Sequence, residues 1–253
     1  MISNSLVTKI IESKKECVFI SPHFDDVILS CGELLRQLSG KVTITVVNVF
    51  TKAHSGPYTI SAKKFLKDSG HTMDAVKLYK KRLLEDTDAF AEFDVKVVNL
   101  GLTDALFRKK KNPSIFGKVL AEFDHVYPTY RWHMTALSSK DEALTTLESK
   151  LHAYTGEDTL VFSPIGIGSH VDHLVVKKVC EKLFPHIVFY EDFPYNVRIG
   201  QTKQQTSLKE RFEVVPTMEQ KTKDIQKYAS QYVGLFEGKS VPLHTEVYFS
   251  KAL

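Results

Sequence analysis

Two short clusters combine imidazole with carboxylate. His23-Phe24-Asp25-Asp26 follows the apolar run Cys17–Ile20, and His170-Val171-Asp172-His173 comes after a second run, Leu160–Phe162. Imidazole nitrogen and carboxylate oxygen are the donors of a catalytic zinc, which takes three protein ligands and leaves a position for water. Two histidines and one carboxylate meet that count. His23 and one adjacent aspartate supply two ligands, and His170 or His173 the third. The aspartate left over can take a proton from water and pass it to a leaving amine, and the spare histidine can steady a developing oxyanion. The same residues also fit a plainer role. Asp25 or Asp26 suits the N-cap of a helix starting near Val27, and His170 or Asp172 the cap of the helix that follows them.

The elements around the clusters decide whether they can meet. Cys17–Ile20 is apolar without alternation, as expected of a strand buried on both faces. Val27, Ile28, Cys31, Leu34, Leu35 and Leu38 recur at helical spacing, and Gly40 ends the run. Val42–Phe50 is rich in β-branched residues, which completes a βαβ unit. Further strands are expected at Val95–Leu100, Leu160–Phe162 and Ile187–Tyr190. Helices are expected at 72–90, 114–123, 140–152, 171–183 and 219–232. Residues 51–71 read as loop with one short helical turn, and Ile199–Lys209 as an exposed loop. This alternation predicts an α/β, Rossmann-like, mostly parallel sheet with helices on both faces. One domain over 1–253 is expected, with an irregular C-terminal part at 196–253. In open sheets of this kind ligands bind beyond the carboxyl ends of the strands, the edge where both clusters fall.

Composition narrows the function. The 253 residues carry 34 basic and 30 acidic side chains, a net charge of +4 spread along the chain. That is no footprint for nucleic acid, and none is expected as a partner. Cys17, Cys31 and Cys180 form no CxxC pair, so neither disulfides nor a thiolate zinc knuckle is expected. No apolar run is long enough to span a membrane. Met1–Glu16 holds no continuous apolar segment, so no signal peptide is expected and the expected address is cytoplasmic. Neither GxGxxG nor GxxxxGK[ST] occurs; Gly166-Ile167-Gly168 lacks the third glycine, which argues against a nucleotide cofactor.

The sequence resembles the PIG-L/LmbE-like family of zinc-dependent N-acetylglucosaminyl deacetylases. Ser21-Pro22-His23-Phe24-Asp25-Asp26 is similar to the family's first motif, with Phe24 where the family has proline. His170-Val171-Asp172-His173 is similar to its His-Pro-Asp-His. Arg82-Leu83-Leu84-Glu85, Gly101-Leu102-Thr103-Asp104-Ala105-Leu106-Phe107-Arg108 and Tyr190–Tyr195 extend the likeness. The resemblance implies zinc on His23, Asp26 and His173, Asp25 as general base, and His170 beside the reacting carbonyl. Some members place a tyrosine two residues before that histidine to polarise the amide; here the position is Gly168.

Arg82, Asp104, Arg108, Tyr195 and His133 are the candidate substrate contacts. Arg82 and Arg108 offer forked donors to a sugar, to Asp25 or to the metal loop. Arg82 also suits a surface pair with Glu85. His133, in Tyr130-Arg131-Trp132-His133, belongs to an aromatic group able to stack on a sugar or to pack a loop. His244 is a further candidate, and Tyr58 beside Gly56-Pro57 a candidate lid. The expected function is hydrolysis of the acetyl amide of an N-acetylated amino sugar or aminoglycoside-like molecule with Zn2+. Arg108–Lys111 would suit a phosphate-linked sugar. A different small amide, or a sugar-binding protein without chemistry, is the alternative. A homo-oligomer is left open.

Overall fold

A computed structural model describes residues 6–251, apart from 71, 113, 119, 200–207, 209 and 238. The Ile199–Lys209 stretch read as a loop therefore falls mostly outside the described residues.

The elements run α1 (Leu6–Ser13), β1 (Glu16–Ser21), α2 (Asp26–Leu38), β2 (Ile44–Asn48), α3 (Ile60–Gly70), α4 (Ala75–Phe90), β3 (Lys96–Asn99), α5 (Tyr130–His133), α6 (Ala143–Leu151), β4 (Thr159–Pro164), α7 (Val171–Leu183), β5 (Ile187–Tyr190), α8 (Tyr195–Ile199), β6 (Glu210–Val214), α9 (Met218–Gln226), α10 (Ala229–Phe236) and β7 (Glu246–Ser250). The strands form one sheet in the order β3-β2-β1-β4-β5-β7-β6. The first five are parallel, and β7 lies antiparallel to both β5 and β6. The α/β sheet with covering helices is the expected architecture.

Successive residues of β1 point to opposite faces. Cys17 and Phe19 enter one core with α1, α2 and α4, and Val18 and Ile20 enter the other with α6 and α7. Phe19 pairs with Val46 and Phe162, and its ring stacks on Phe162 at 4.1 Å. A strand buried on both sides cannot slip by one residue without exchanging the two cores. This register fixes where His23 leaves the sheet. From β1 the chain winds outward through β2 and β3, and β4 and β5 build the other half. The carboxyl ends of β1 and β4 thus flank the point where strand order reverses, the usual ligand crevice of such sheets.

Several elements differ from expectation. Residues 60–70 are helix, because Ala62 and Leu66 pack into the core while the lysines face water. The helix expected from residue 72 begins at Ala75, since the Asp74 carboxylate accepts the Lys77 N–H at 3.0 Å and caps it. Residues 114–123 form two short 3-10 turns, Ile115–Lys118 and Ala121–Phe123, instead of one helix. The helix expected at 219–232 is two helices, divided at Lys227-Tyr228. Leu6 and Ile10 bury one face of α1, which periodicity over so short a segment did not reveal. The C-terminal part, expected to be irregular, supplies α8 to α10 and two strands. A fully buried Lys221–Glu246 pair at 2.8 Å ties α9 to β7, and Glu246 also accepts the Glu33 and Leu34 N–H groups of α2.

Candidate active site

The turn after β1 aims the first cluster. Ser21 Oγ donates to the His23 carbonyl at 2.5 Å and accepts the Val27 N–H at 3.2 Å. The His23 N–H donates to Asp26 Oδ2 at 2.7 Å. Asp25 stands at the N-cap of α2, yet its side chain makes no capping bond. The helix start is held by other groups, and the buried Asp25 carboxylate is left facing the cavity.

The second cluster sits where β4 turns into α7. Gly166 and Gly168 both have φ of +84°, which favours glycine. A Cβ on Gly168 would stand 2.9 Å from Tyr195 Cδ1 and 3.1 Å from its Cγ. Tyr195 therefore occupies the space a side chain at 168 would need. His170 caps α7, its Nδ1 accepting the Asp172 N–H at 3.3 Å. That bond selects the neutral tautomer with hydrogen on Nε2. Burial, then the charge of neighbouring His23, pushes the ring down to about 3, in keeping with a neutral donor.

His23, Asp26 and His173 converge. Asp26 Oδ2 is 3.1 Å from His23 Nδ1 and 3.5 Å from His173 Nε2. Each imidazole is held from behind by a carboxylate: Asp172 Oδ2 lies 3.2 Å from His23 Nε2, and Asp192 Oδ1 lies 2.5 Å from His173 Nδ1. A carboxylate on the far nitrogen of a ligating histidine fixes its ring and tautomer. Asp192 Oδ2 accepts the Gly166 and Ile167 N–H groups, both at 2.8 Å. Asp172 accepts from Ala105 N–H at 2.9 Å and is paired with Arg108, which also holds Asp141 at 2.5 Å.

Charge supports a cation here. Burial opposes protonation of both imidazoles. Even so, His23 is held well above its ordinary range by Asp172 and Asp26, and His173 is raised by Asp26 and Asp192. Burial would likewise lift Asp26, but His173 and His23 keep it well below the usual carboxylate range. The surrounding carboxylates draw in positive charge, which protons supply when no metal does. His23, Asp26 and His173 offer ligand atoms all within 4.8 Å of one another, so this buried group is able to hold a metal. His23, His170 and Asp172 also lie close enough. In that second set, however, Asp172 is already engaged by Arg108 and Ala105, and His170 Nδ1 by the helix start. Asp25 moves the other way from Asp26: burial and the Asp26 charge raise it.

These residues open on a cavity of about 380 Å³. Its wall includes His23, Asp25, Asp26, His170 and His173, together with Arg82, Asp104, His133 and Tyr195. Arg82 donates to Gln231 Oε1 and lies over the Tyr79 ring, so it is no surface partner of Glu85. Asp104 accepts from Tyr79 Oη at 2.5 Å and from the Leu106 N–H at 2.8 Å. His133 contacts the Tyr127 carbonyl at 3.0 Å, while Trp132 is exposed and off the wall.

Four expectations are corrected. Arg108 is not on the wall; it is a buried clamp between Asp172 and Asp141. Lys109 and Lys111 line a separate cavity with Lys52 and Lys140, so the basic run does not face a substrate in the first one. His244 is off the wall, stacked on Phe193 at 4.4 Å, and Tyr58 is no free lid, because its hydroxyl accepts the Ala75 N–H at 3.1 Å. Sequence reading missed Asp172 and Asp192 as imidazole partners, and Gln231 and Asp68 as wall residues. The His-x-Asp-His spacing and the acid two residues past β5 were the available signals for the first two.

A family model described as PIG-L, GlcNAc-PI de-N-acetylase, matches residues 18–184. The chain belongs to the PIG-L family. It is 30% identical over 205 residues to a 2'-N-acetylparomamine deacetylase of Niallia circulans, covering 73% of this chain and 69% of that one. A 2'-N-acetylparomamine deacetylase of Streptomyces fradiae is 25% identical over 228 residues, covering 85% and 72%. Among solved structures, the zinc-inhibited form of a teicoplanin deacetylase shares the fold, with a TM-score of 0.68, 21% identity and coverage of 92% and 97%. The chain is thus a PIG-L de-N-acetylase. Tyr195, Gln231 and Leu235 lie beyond the matched segment, so part of the cavity wall comes from sequence outside the PIG-L match. Among the described residues no helix is long and apolar enough to cross a membrane.

Proposed function

We propose that this cavity hydrolyses the acetyl amide of an N-acetylated amino sugar, with zinc held by His23, Asp26 and His173. The observation that carries the reading is Asp25: a buried carboxylate without a capping bond, beside a group of two histidines and a carboxylate. The curated relatives, both deacetylases of an acetylated aminoglycoside precursor by name, support this substrate class. Zinc in such a site supplies Lewis acidity and a water of lowered pKa.

Asp25 takes the proton of the attacking water, and the raised affinity of its carboxylate for protons suits a base working near neutrality. Water oxygen bonds to the carbonyl carbon, the C–N bond breaks, and Asp25 returns the proton to the leaving nitrogen. The new carboxylic acid gives up the second proton of water to the amine, so acetate and the ammonium form of the sugar result. The His170 Nε2–H and the Tyr195 hydroxyl donate to the carbonyl oxygen as it gains charge. Tyr195 stays protonated, since burial and the Asp26 carboxylate push its phenol above its ordinary value. Asp172 and Asp192 hold the two imidazoles. Arg82 balances the charge of Asp25, and Asp104 and His133 shape the wall.

The test pairs metal content of the purified protein with acetate release from N-acetylated amino sugars. One zinc per chain and chelator-sensitive acetate release are expected. Asp25→Asn should keep the zinc and lose turnover by several orders of magnitude, whereas His173→Ala should lose the zinc. Normal turnover in Asp25→Asn would remove the assigned base. Absence of metal uptake would leave a sugar-binding protein without hydrolysis.

A further inference from the structure

The outer wall of the cavity has a charge of its own. α3 contributes Phe65, Asp68 and Ser69, and Tyr130 stands beside them. Arg82 is the one lysine or arginine among the described wall residues, and it is buried and committed to Gln231. Lys109 and Lys111 of the basic run line the other cavity. A substrate entering here therefore meets carboxylate at the outer wall, where the described residues offer no lysine or arginine besides the buried Arg82.

Asp68 is half-exposed, and its charge is felt at the Tyr130 phenol, whose pKa rises to about 12 through burial and then Asp68. Among the described residues it pairs with Lys64, a turn earlier on α3, at 2.5 Å, and the Lys64 side chain is largely exposed. An exposed pair of this spacing is worth only about 0.3–0.5 kcal/mol, so a ligand ammonium displaces Lys64 readily. The Tyr130 ring adds a face that attracts a cation, whereas the Phe65 ring already carries the Arg82 guanidinium at 5.8 Å. α10 packs against α3 and brings Gln231 to the same wall. The Gln231 Oε1 is held by Arg82, while its buried Nε2 has no partner among the described residues, a donor matched to a sugar hydroxyl.

We propose that Asp68 makes the enzyme select acetylated amino sugars that carry a second, protonated amino group. This rests on the deacetylase reading above and names the substrate class within it.

The test compares 2'-N-acetylparomamine, which has free amines on its second ring, with the neutral methyl glycoside of N-acetylglucosamine. Asp68→Asn should raise KM for the cationic substrate about two- to threefold at low salt and leave kcat unchanged. The neutral substrate should not respond. Sodium chloride should raise the wild-type KM for the cationic substrate and have little effect on the variant. Lys64→Gln, which frees Asp68, should lower that KM. Calorimetric binding of paromamine itself to both proteins reads the same contact without turnover. Loss of turnover on every substrate with paromamine binding still weakened by Asp68→Asn would sink the deacetylase reading and keep the ammonium site. Equal paromamine affinity in wild type and Asp68→Asn, or an equal loss on the neutral substrate, would overturn the proposal for Asp68.

Discussion

Gly168→Ala tests the packing at the turn between β4 and α7. Two separate penalties arise from one methyl group. The backbone has φ of +84°, a left-handed conformation that costs an L-residue roughly 1–2 kcal/mol. The new Cβ would also meet Tyr195 Cδ1, Cγ and Cβ at 2.9, 3.1 and 3.4 Å. Those atoms sit at the base of the side chain, so the whole ring must retreat, and overpacking of this kind costs about 1–3 kcal/mol. Together the substitution should destabilise by about 2–5 kcal/mol. For a chain of this length that lowers Tm by roughly 5–15 °C. Thermal unfolding followed by circular dichroism measures it, and acetate release should fall as the ring leaves the wall. Tyr195→Ala separates the two penalties. In that background Gly168→Ala should keep the backbone cost and lose the steric one, a coupling of at least about 1 kcal/mol in the double-mutant cycle. Strict additivity of the two substitutions would refute the claim that Tyr195 fills the space above Gly168.

Asp192→Asn should lower metal affinity about 10- to 100-fold, because His173 loses the carboxylate that holds its ring; competition with a chromogenic chelator measures this. Asp86 is buried between Asn48 and Tyr228, and burial raises its carboxyl to about 7, above the unfolded value. The folded state then holds this proton more tightly than the unfolded one. The associated stability is complete below the unfolded pKa and is lost as pH rises through about 7. Asp86→Asn, which cannot ionise, should flatten that slope and stabilise the protein at pH 8 by more than about 1 kcal/mol in urea unfolding. An unchanged pH profile would mean that Asp86 is not the buried acid responsible.

Much of the site was legible because its residues are local in sequence. His23 to Asp26 and His170 to His173 each lie at the end of an apolar strand, and a parallel sheet brings such ends to one edge. The supporting groups were hidden because their partners are distant. Nothing in the neighbourhood of Arg108 shows that it turns inward to Asp172 instead of outward with Lys109 to Lys111. Gln231 carries no signal at all, since glutamine on a helix is ordinary at a surface. α3 was hidden because, among its described residues, only Ala62 and Leu66 are fully buried, a weak apolar stripe. β7 escaped because antiparallel insertion next to β5 depends on which edge is open, a property of the assembled sheet and not of residues 246–250.

The placement of β7 has a consequence for biosynthesis. Strands β1 to β5 can pair in the order in which they leave the ribosome, but β5 then ends the sheet with its far backbone groups unsatisfied. Its neighbour there is β7, which emerges only after β6, α9 and α10. Until then the Lys221 ammonium and the α2 amides that Glu246 receives also lack their partner. The nascent chain thus passes through a stage with an open sheet edge and a Lys221 that has not yet met Glu246, a species suited to chaperone binding and prone to edge-to-edge association.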